Sequence, residues 1–238
     1  MSNFFQNSTG YQERQFVESG AANAFMQQVF TTMSLGLLIT GMAAWYVSQT
    51  PALINFFLTG FMMYVVMFAP LIFVIVLASR INKMSFTAAS LTFATYSLIN
   101  GISFSFIFLV YDLGAIFKVF LITAGTFGAM ALAGATTKLD LSKMGSILFM
   151  ALIGIIIASV VNWFLGSPML DYLISIAGVV IFSGLTAYDT QKLIRIGAQV
   201  DAESETSRKI ALMGALTLYL DFINLFLFLL RIFGGSRD

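Results

Sequence analysis

Residues 210–232 read IALMGALTLYLDFINLFLFLLRI, an apolar run that contains one acid, Asp221. A helix crosses the hydrocarbon core of a bilayer with about 20 apolar residues, so this run is long enough to span a membrane. A carboxylate at that depth costs at least ~2.5 kcal/mol, and it normally faces a protein interior or a water-filled cavity. The rest of the chain therefore has to hold Asp221 away from lipid.

A second acid lies in the preceding apolar run, where residues 181–194 read IFSGLTAYDTQKLI and contain Asp189. In both predicted spans, the positions that recur every three or four residues with the acid share one face of a helix and are mostly small or polar. These positions are Gly178, Phe182, Thr186 and Asp189 in one run, and Gly214, Thr217, Asp221 and Asn224 in the other. The spacing predicts that both acids point inward, toward other helices.

The composition indicates a polytopic membrane protein. Of the 238 residues, 59% are hydrophobic and 10% are charged, whereas ordinary globular domains contain roughly 25% charged residues. The net charge of +1 gives no support for a nucleic-acid partner. The chain has no Cys and no His, so a pH response near neutrality has to come from carboxylates.

Seven continuously apolar stretches predict an all-α fold with seven transmembrane helices; a β-barrel would show alternation instead. They are Phe25–Val47, Leu58–Ser79, Ser85–Val110, Ile116–Thr136, Gly145–Leu165, Leu170–Gln191 and Ile210–Ile232. We expect a polar, solvent-exposed and partly disordered tail at residues 1–24, one membrane domain at 25–233 and a short tail at 234–238.

The distribution of Lys and Arg predicts the orientation, because cytoplasmic loops are enriched in both. One side of the predicted bundle carries Arg14, Arg80, Lys83, Lys138, Lys143, Lys192, Arg195, Arg208 and Lys209. The other side carries Lys118, Arg231 and Arg237. The N-terminus is therefore expected in the cytoplasm and the C-terminus outside. The mixed-charge loop Lys192–Lys209, which holds Asp201, Glu203 and Glu205, is then cytoplasmic.

Two further polar residues allow two interpretations each. Arg80 ends the second span and is either a cytoplasmic anchor or a partner for an intramembrane carboxylate, reached by snorkelling. Asn100 either bonds a neighbouring helix or lines a cavity. Thr186, Thr217 and Asn224 are further candidates for lining a cavity.

Contact between Asp189 and Asp221 would have specific consequences. Two carboxylates in one low-dielectric site share a proton, because they cannot both ionise without strong repulsion. The protonated pair would tie two helices together, and loss of the proton would weaken that tie. The same oxygens could ligate Ca²⁺ weakly, since Ca²⁺ prefers six to eight oxygen ligands. A count of residues along the helices does not establish the contact.

The motifs AYDTQKL, residues 187–193, and GALTLYLDFINLFLFLLRIFG, residues 214–234, resemble those of the Bax inhibitor-1 family, in its bacterial branch. The resemblance implies a seventh helix surrounded by the other six. It also implies a pH-sensitive Ca²⁺ leak controlled by Asp189 and Asp221, with Arg80 bonded to the acid of helix 6. It suggests a bacterial inner membrane as the location.

We expect no enzymatic activity and no cofactor, with Ca²⁺ or another cation as the transported ion. The alternative is a regulator that binds another membrane protein, such as a quality-control protease, through the N-terminal tail or the Lys192–Lys209 loop. An intramembrane aspartyl protease is disfavoured, because the residues before Asp221 lack the glycines that admit a substrate backbone.

Overall fold

The computed structural model of the chain describes residues 2–200 and 204–235, with side chains from Gly20 onward except at residue 82. Asp201 and Glu203 of the predicted cytoplasmic loop lie outside the described residues, as do Arg237 and the side chain of Arg14.

The described residues form helices and no strand, which confirms the all-α prediction. The helices are α1 Ser2–Ser48, α2 Pro51–Phe57, α3 Gly60–Arg80, α4 Phe86–Phe104, α5 Ile107–Val110, α6 Leu113–Thr136, α7 Ser142–Leu165, α8 Pro168–Gly197 and α9 Glu205–Phe233, with a 3₁₀ turn at Ile81–Lys83. Within the described ranges, seven segments are long and apolar enough to cross a membrane. They are Gly20–Ser48, Gly60–Arg80, Phe86–Val110, Leu113–Thr136, Ser142–Leu165, Pro168–Gly197 and Glu205–Phe233.

Side-chain caps set several of the helix starts. The Asp112 carboxylate accepts a hydrogen bond of 2.8 Å from the Gly114 amide at the start of α6, and Ser204 accepts from the Ser207 amide at the start of α9. Such caps satisfy amides that have no partner within the helix. Gly166 ends α7 with φ of 61°, a left-handed conformation that glycine adopts without strain.

Three helices extend at least five residues beyond their predicted bounds. α8 continues to Gly197 and α9 starts at Glu205, so both enter the predicted loop Lys192–Lys209. Charged side chains interrupt the apolar runs before the helices end: Lys192 and Arg195 lie in the added part of α8, and Glu205 lies in the added part of α9. α1 is helical from Ser2, so the predicted N-terminal tail continues the first span as a helix.

The seventh span, α9, is more buried than any of the other six. Its packing is chiefly with α8, α1, α6 and α4, and Leu218, Tyr219 and Leu225 on it are completely buried. Encirclement by all six other spans is therefore not confirmed. α3 and α7 are the least buried spans and present most of their surface outward, which places the acid-bearing helices α8 and α9 away from the periphery.

Candidate functional site

Asp189 on α8 and Asp221 on α9 are brought together in the structure. Their carboxyl groups lie within hydrogen-bonding range of each other. The residues are 9% and 4% exposed, respectively. Both acids face the interior of the bundle, and the contact that helix counting could not establish is present.

Two glycines set the close packing of α8 against α9. A Cβ atom on Gly178 would lie 2.5 Å from the ring of Phe228, and one on Gly214 would lie 2.6 Å from the side chain of Leu193. Because the helices are antiparallel, Asp189 and Asp221 both lie between these two contacts. The spacing of small residues that predicted the inward faces is therefore also what lets the two acid-bearing helices approach.

The surroundings of the two carboxyl groups differ. The Oδ2 atom of Asp221 is buried and has no hydrogen-bond partner among the described residues. Asp189 lies one turn from Lys192, whose positive charge acts on it. Within the described part of the chain, no cluster of three or more His, Cys, Asp or Glu side chains could hold a metal ion, so the pair has no third acidic ligand there.

The structure does not bring Arg80 to the pair. The Arg80 side chain is exposed at the end of α3, and it makes no ion pair with any acid that the structure describes. The main helix partner of α3 is α4. The expected bond from Arg80 to Asp189 is therefore absent from this conformation, and Lys192 is the cation that acts on Asp189.

The predicted cavity-lining residues of α8 and α9 bond their own helices. The hydroxyl of Thr186 donates to the carbonyl of Phe182 at 2.8 Å, and that of Thr217 donates to Met213 at 3.1 Å. The amide of Asn224 donates to Leu220 at 2.8 Å. Such bonds to the carbonyl four residues earlier satisfy a polar side chain within its own helix. Whether these residues line an ion path stays a prediction.

Asn100 lies in a buried polar cluster between α1, α4 and α9. It sits beside the phenol groups of Tyr96 and Tyr219, but its Nδ2 atom has no hydrogen-bond partner among the described residues. The Tyr219 hydroxyl lies 2.7 Å from the hydroxyl of Thr40, which in turn lies 2.9 Å from the carbonyl of Ser97. The cluster joins three helices through hydrogen bonds.

A second polar network, which sequence reasoning missed, ties the α6–α7 connection to α8. The side-chain amide of Gln191 donates to the Leu139 carbonyl at 2.8 Å and accepts from the Leu141 amide at 3.0 Å. Arg195 pairs with Asp140 at 2.9 Å. Hydrogen bonds from the Ser142 hydroxyl and amide, then the bond from Arg195, lower the pKa of Asp140 to about 2. The network lies within two turns of Asp189.

The sequence contained a signal for some of the buried polar residues that were not predicted. Thr190 and Gln191 directly follow Asp189 in the motif AYDTQKL, and both are buried. Thr40 carried no such signal, because its partner Tyr219 is 179 positions away in the chain.

Comparisons with known proteins show which family the chain resembles. The family model described as "Inhibitor of apoptosis-promoting Bax1" matches residues 22–238. The inner membrane protein YbhL of Escherichia coli K12 is 48% identical over 90% of this chain and 92% of its own length. Uncharacterized proteins of Borreliella burgdorferi and Rickettsia prowazekii are 43% and 42% identical; the alignments cover 91% and 90% of this chain and 94% and 90% of theirs. The family model matches most of the chain, and the relatives align over nearly their full length. The chain therefore belongs to the Bax inhibitor-1-like family of membrane proteins.

Proposed function

We propose that this chain is a pH-sensitive cation leak, most readily for Ca²⁺, in which Asp189 and Asp221 form the gate. The observation that carries the proposal is the contact of two buried carboxyl groups on adjacent spans. No other described pair of acids in the spans has this arrangement. The name of the Escherichia coli relative supports an inner membrane as the location.

The gate works through one proton. When the pair holds a proton, a hydrogen bond between the carboxyl groups ties α8 to α9. When the proton leaves, two negative charges face each other in a poorly solvated site, and their repulsion favours separation of the helices. The proposal therefore predicts that cation flux rises with pH.

The same oxygens serve the transported ion. Two carboxylates supply hard oxygen ligands, but fewer than the six to eight that Ca²⁺ prefers. With so few protein ligands, the ion keeps water molecules and leaves readily. Asp189 and Asp221 are thus proposed as a weak transit site for Ca²⁺ and not as a storage site.

The test is Ca²⁺ flux into proteoliposomes over a range of pH, with Na⁺ and K⁺ for comparison. Asp189→Asn and Asp221→Asn should each abolish the pH dependence of the flux. Asp171→Asn is the matched control, because Asp171 lies on the same helix α8 but pairs with Arg231 at the surface, and it should behave as wild type. Unchanged flux and pH response in both gate variants would contradict the proposal and favour a regulator that binds another membrane protein.

A further inference from the structure

A long groove on the outside of the bundle lies between α1 and α6. Its volume is about 1200 Å³ and its lining is mainly apolar. One wall includes Met33, Gly41 and Trp45 of α1, and the other includes Ala124, Gly128 and Ala131 of α6. Since both helices are membrane spans, the groove opens at the depth of the lipid acyl chains.

The floor of the groove comes from the two acid-bearing helices. Thr190, which follows Asp189, and Phe222, which follows Asp221, both line it. The ring of Phe222 packs edge-on against the rings of Phe120 and Phe127, at centroid distances of 5.7 and 5.5 Å. The groove therefore lies directly beside the carboxyl pair without including it.

Thr190 differs from the other buried threonines of the spans. Thr40, Thr123 and Thr186 each donate to the carbonyl four residues earlier. The hydroxyl of Thr190 is buried and has no hydrogen-bond partner among the described residues, and the residue is only 1% exposed. A buried hydroxyl without a partner is unfavourable, so a ligand that offers it an acceptor would be stabilised.

Of the three Asn, Ser and Thr residues that line the groove, two lie toward one end and Ser34 lies midway along the wall from α1. Thr190 lies near the end of the apolar part of α8, and Asn23 lines the same end from α1. The far end, near Trp45 and Phe120, is apolar. This pattern fits a molecule with an oxygen-bearing group at one end and a long hydrocarbon chain. A helix of a second copy of this chain would fill the apolar part but would leave Thr190 without an acceptor.

We propose that the groove binds one acyl chain of a membrane glycerophospholipid, whose ester carbonyl accepts a hydrogen bond from Thr190. The lipid chain packs along the small residues of α6 and against Phe222. The site is independent of any ion path, because none of its contacts requires the carboxyl pair to change its charge.

The glycines of the chain provide matched variants for the test. A Cβ atom on Gly41, Gly125 or Gly128 would meet no atom within 4 Å, so each position accepts a larger side chain without a clash. Gly41 and Gly128 line opposite walls of the groove, whereas Gly125 lies on α6 outside it. Gly41→Leu and Gly128→Leu fill the groove, and Gly125→Leu is the control.

The experiment reconstitutes the full chain in vesicles of phosphatidylethanolamine and phosphatidylglycerol, extracts it in mild detergent and counts the retained lipid by native mass spectrometry. Wild type and Gly125→Leu should each retain one phospholipid. Gly41→Leu and Gly128→Leu should retain at least roughly tenfold less, as expected when a side chain overpacks a site. Thr190→Val should lower retention roughly two- to tenfold, the effect of one lost hydrogen bond.

Several results would overturn the proposal. Wild type could retain no phospholipid, or both groove variants could retain as much as wild type. A retained free fatty acid would show that the ligand is not a phospholipid. A doubled protein mass that the groove variants abolish would show that a second copy of the chain occupies the groove.

Discussion

At the scale of single residues, the ion pair of Asp140 and Arg195 connects the α6–α7 connection to the helix that carries Asp189. Both side chains are half exposed, 64% for Asp140 and 49% for Arg195, so solvent and salt screen their attraction. The carboxylate also accepts hydrogen bonds from the hydroxyl and amide of Ser142. It therefore bonds Ser142, the first residue of α7, while it pairs with Arg195 of α8.

The pKa of Asp140 gives this connection a defined pH dependence. In the folded protein the pKa is about 2, against 3.8 for an unperturbed carboxyl. Because the folded-state value is depressed, the ionised group adds its full stability above pH 3.8, and that contribution is lost as the pH falls through 2. Asp140→Asn should slightly lower the thermal midpoint of the detergent-solubilised protein at neutral pH, and the difference from wild type should shrink as the pH falls from 4 through 2. A difference that does not shrink over that range would contradict the assignment.

The two acids and their inward orientation could be predicted from the sequence, because helical spacing is a local property. The residues that each acid contacts could not be predicted. The Arg80 side chain is exposed and unpaired with Asp189 in this structure, since the position of the end of α3 depends on packing with α4. Lys192, only three residues from Asp189, is the cation that a local argument could have found.

At the scale of helices, glycines decide how closely the spans approach. The position of Gly134 on α6 leaves no room for a side chain, because an added Cβ would overlap the backbone carbonyl of Ala187 on α8. A backbone atom cannot turn aside as a side chain can. By contrast, Gly125 on the same helix has open space around it.

Alanine at these two positions should therefore have opposite effects. Gly134→Ala should destabilise the protein by about 1–3 kcal/mol, because the added methyl forces α6 and α8 apart. Gly125→Ala should be neutral or stabilising by up to about 1 kcal/mol, since alanine is the better helix former. Thermal unfolding of both variants in the same detergent measures the difference. Equal stability of the two variants would mean that α6 and α8 do not pack as closely as described.

The apolar runs predicted that the seven helices exist, but they did not predict where each helix begins and ends. The seven spans were predictable because about 20 apolar residues are needed to cross a bilayer. The ends of α8 and α9 were misplaced, because Lys192 and Arg195 interrupt the apolar run before α8 ends and because the first turn of α9, capped by Ser204, is polar. Those added turns lie in the predicted loop between the two acid-bearing helices.

At the scale of the whole molecule, the seven spans differ in how deeply they are buried. α9 is the most buried span, whereas α3 and α7 are the least buried. The main partners of α9 are α1, α4, α6 and α8. Its two polar residues face different helices: Asp221 contacts Asp189 of α8, and Tyr219 contacts α1 and α4. The orientation of the bundle in the membrane stays a prediction from the Lys and Arg count.

The proposed gate requires that Asp189 and Asp221 act as one unit, and a double-mutant cycle measures whether they do. Residues that act together have non-additive effects. The measurement is the initial Ca²⁺ flux into proteoliposomes, as a function of pH, for wild type, Asp189→Asn, Asp221→Asn and the double variant. If the two acids act as one unit, the double variant has the same flat pH profile as either single variant. Single variants that each keep part of the pH response, with effects that add in the double variant, would contradict it.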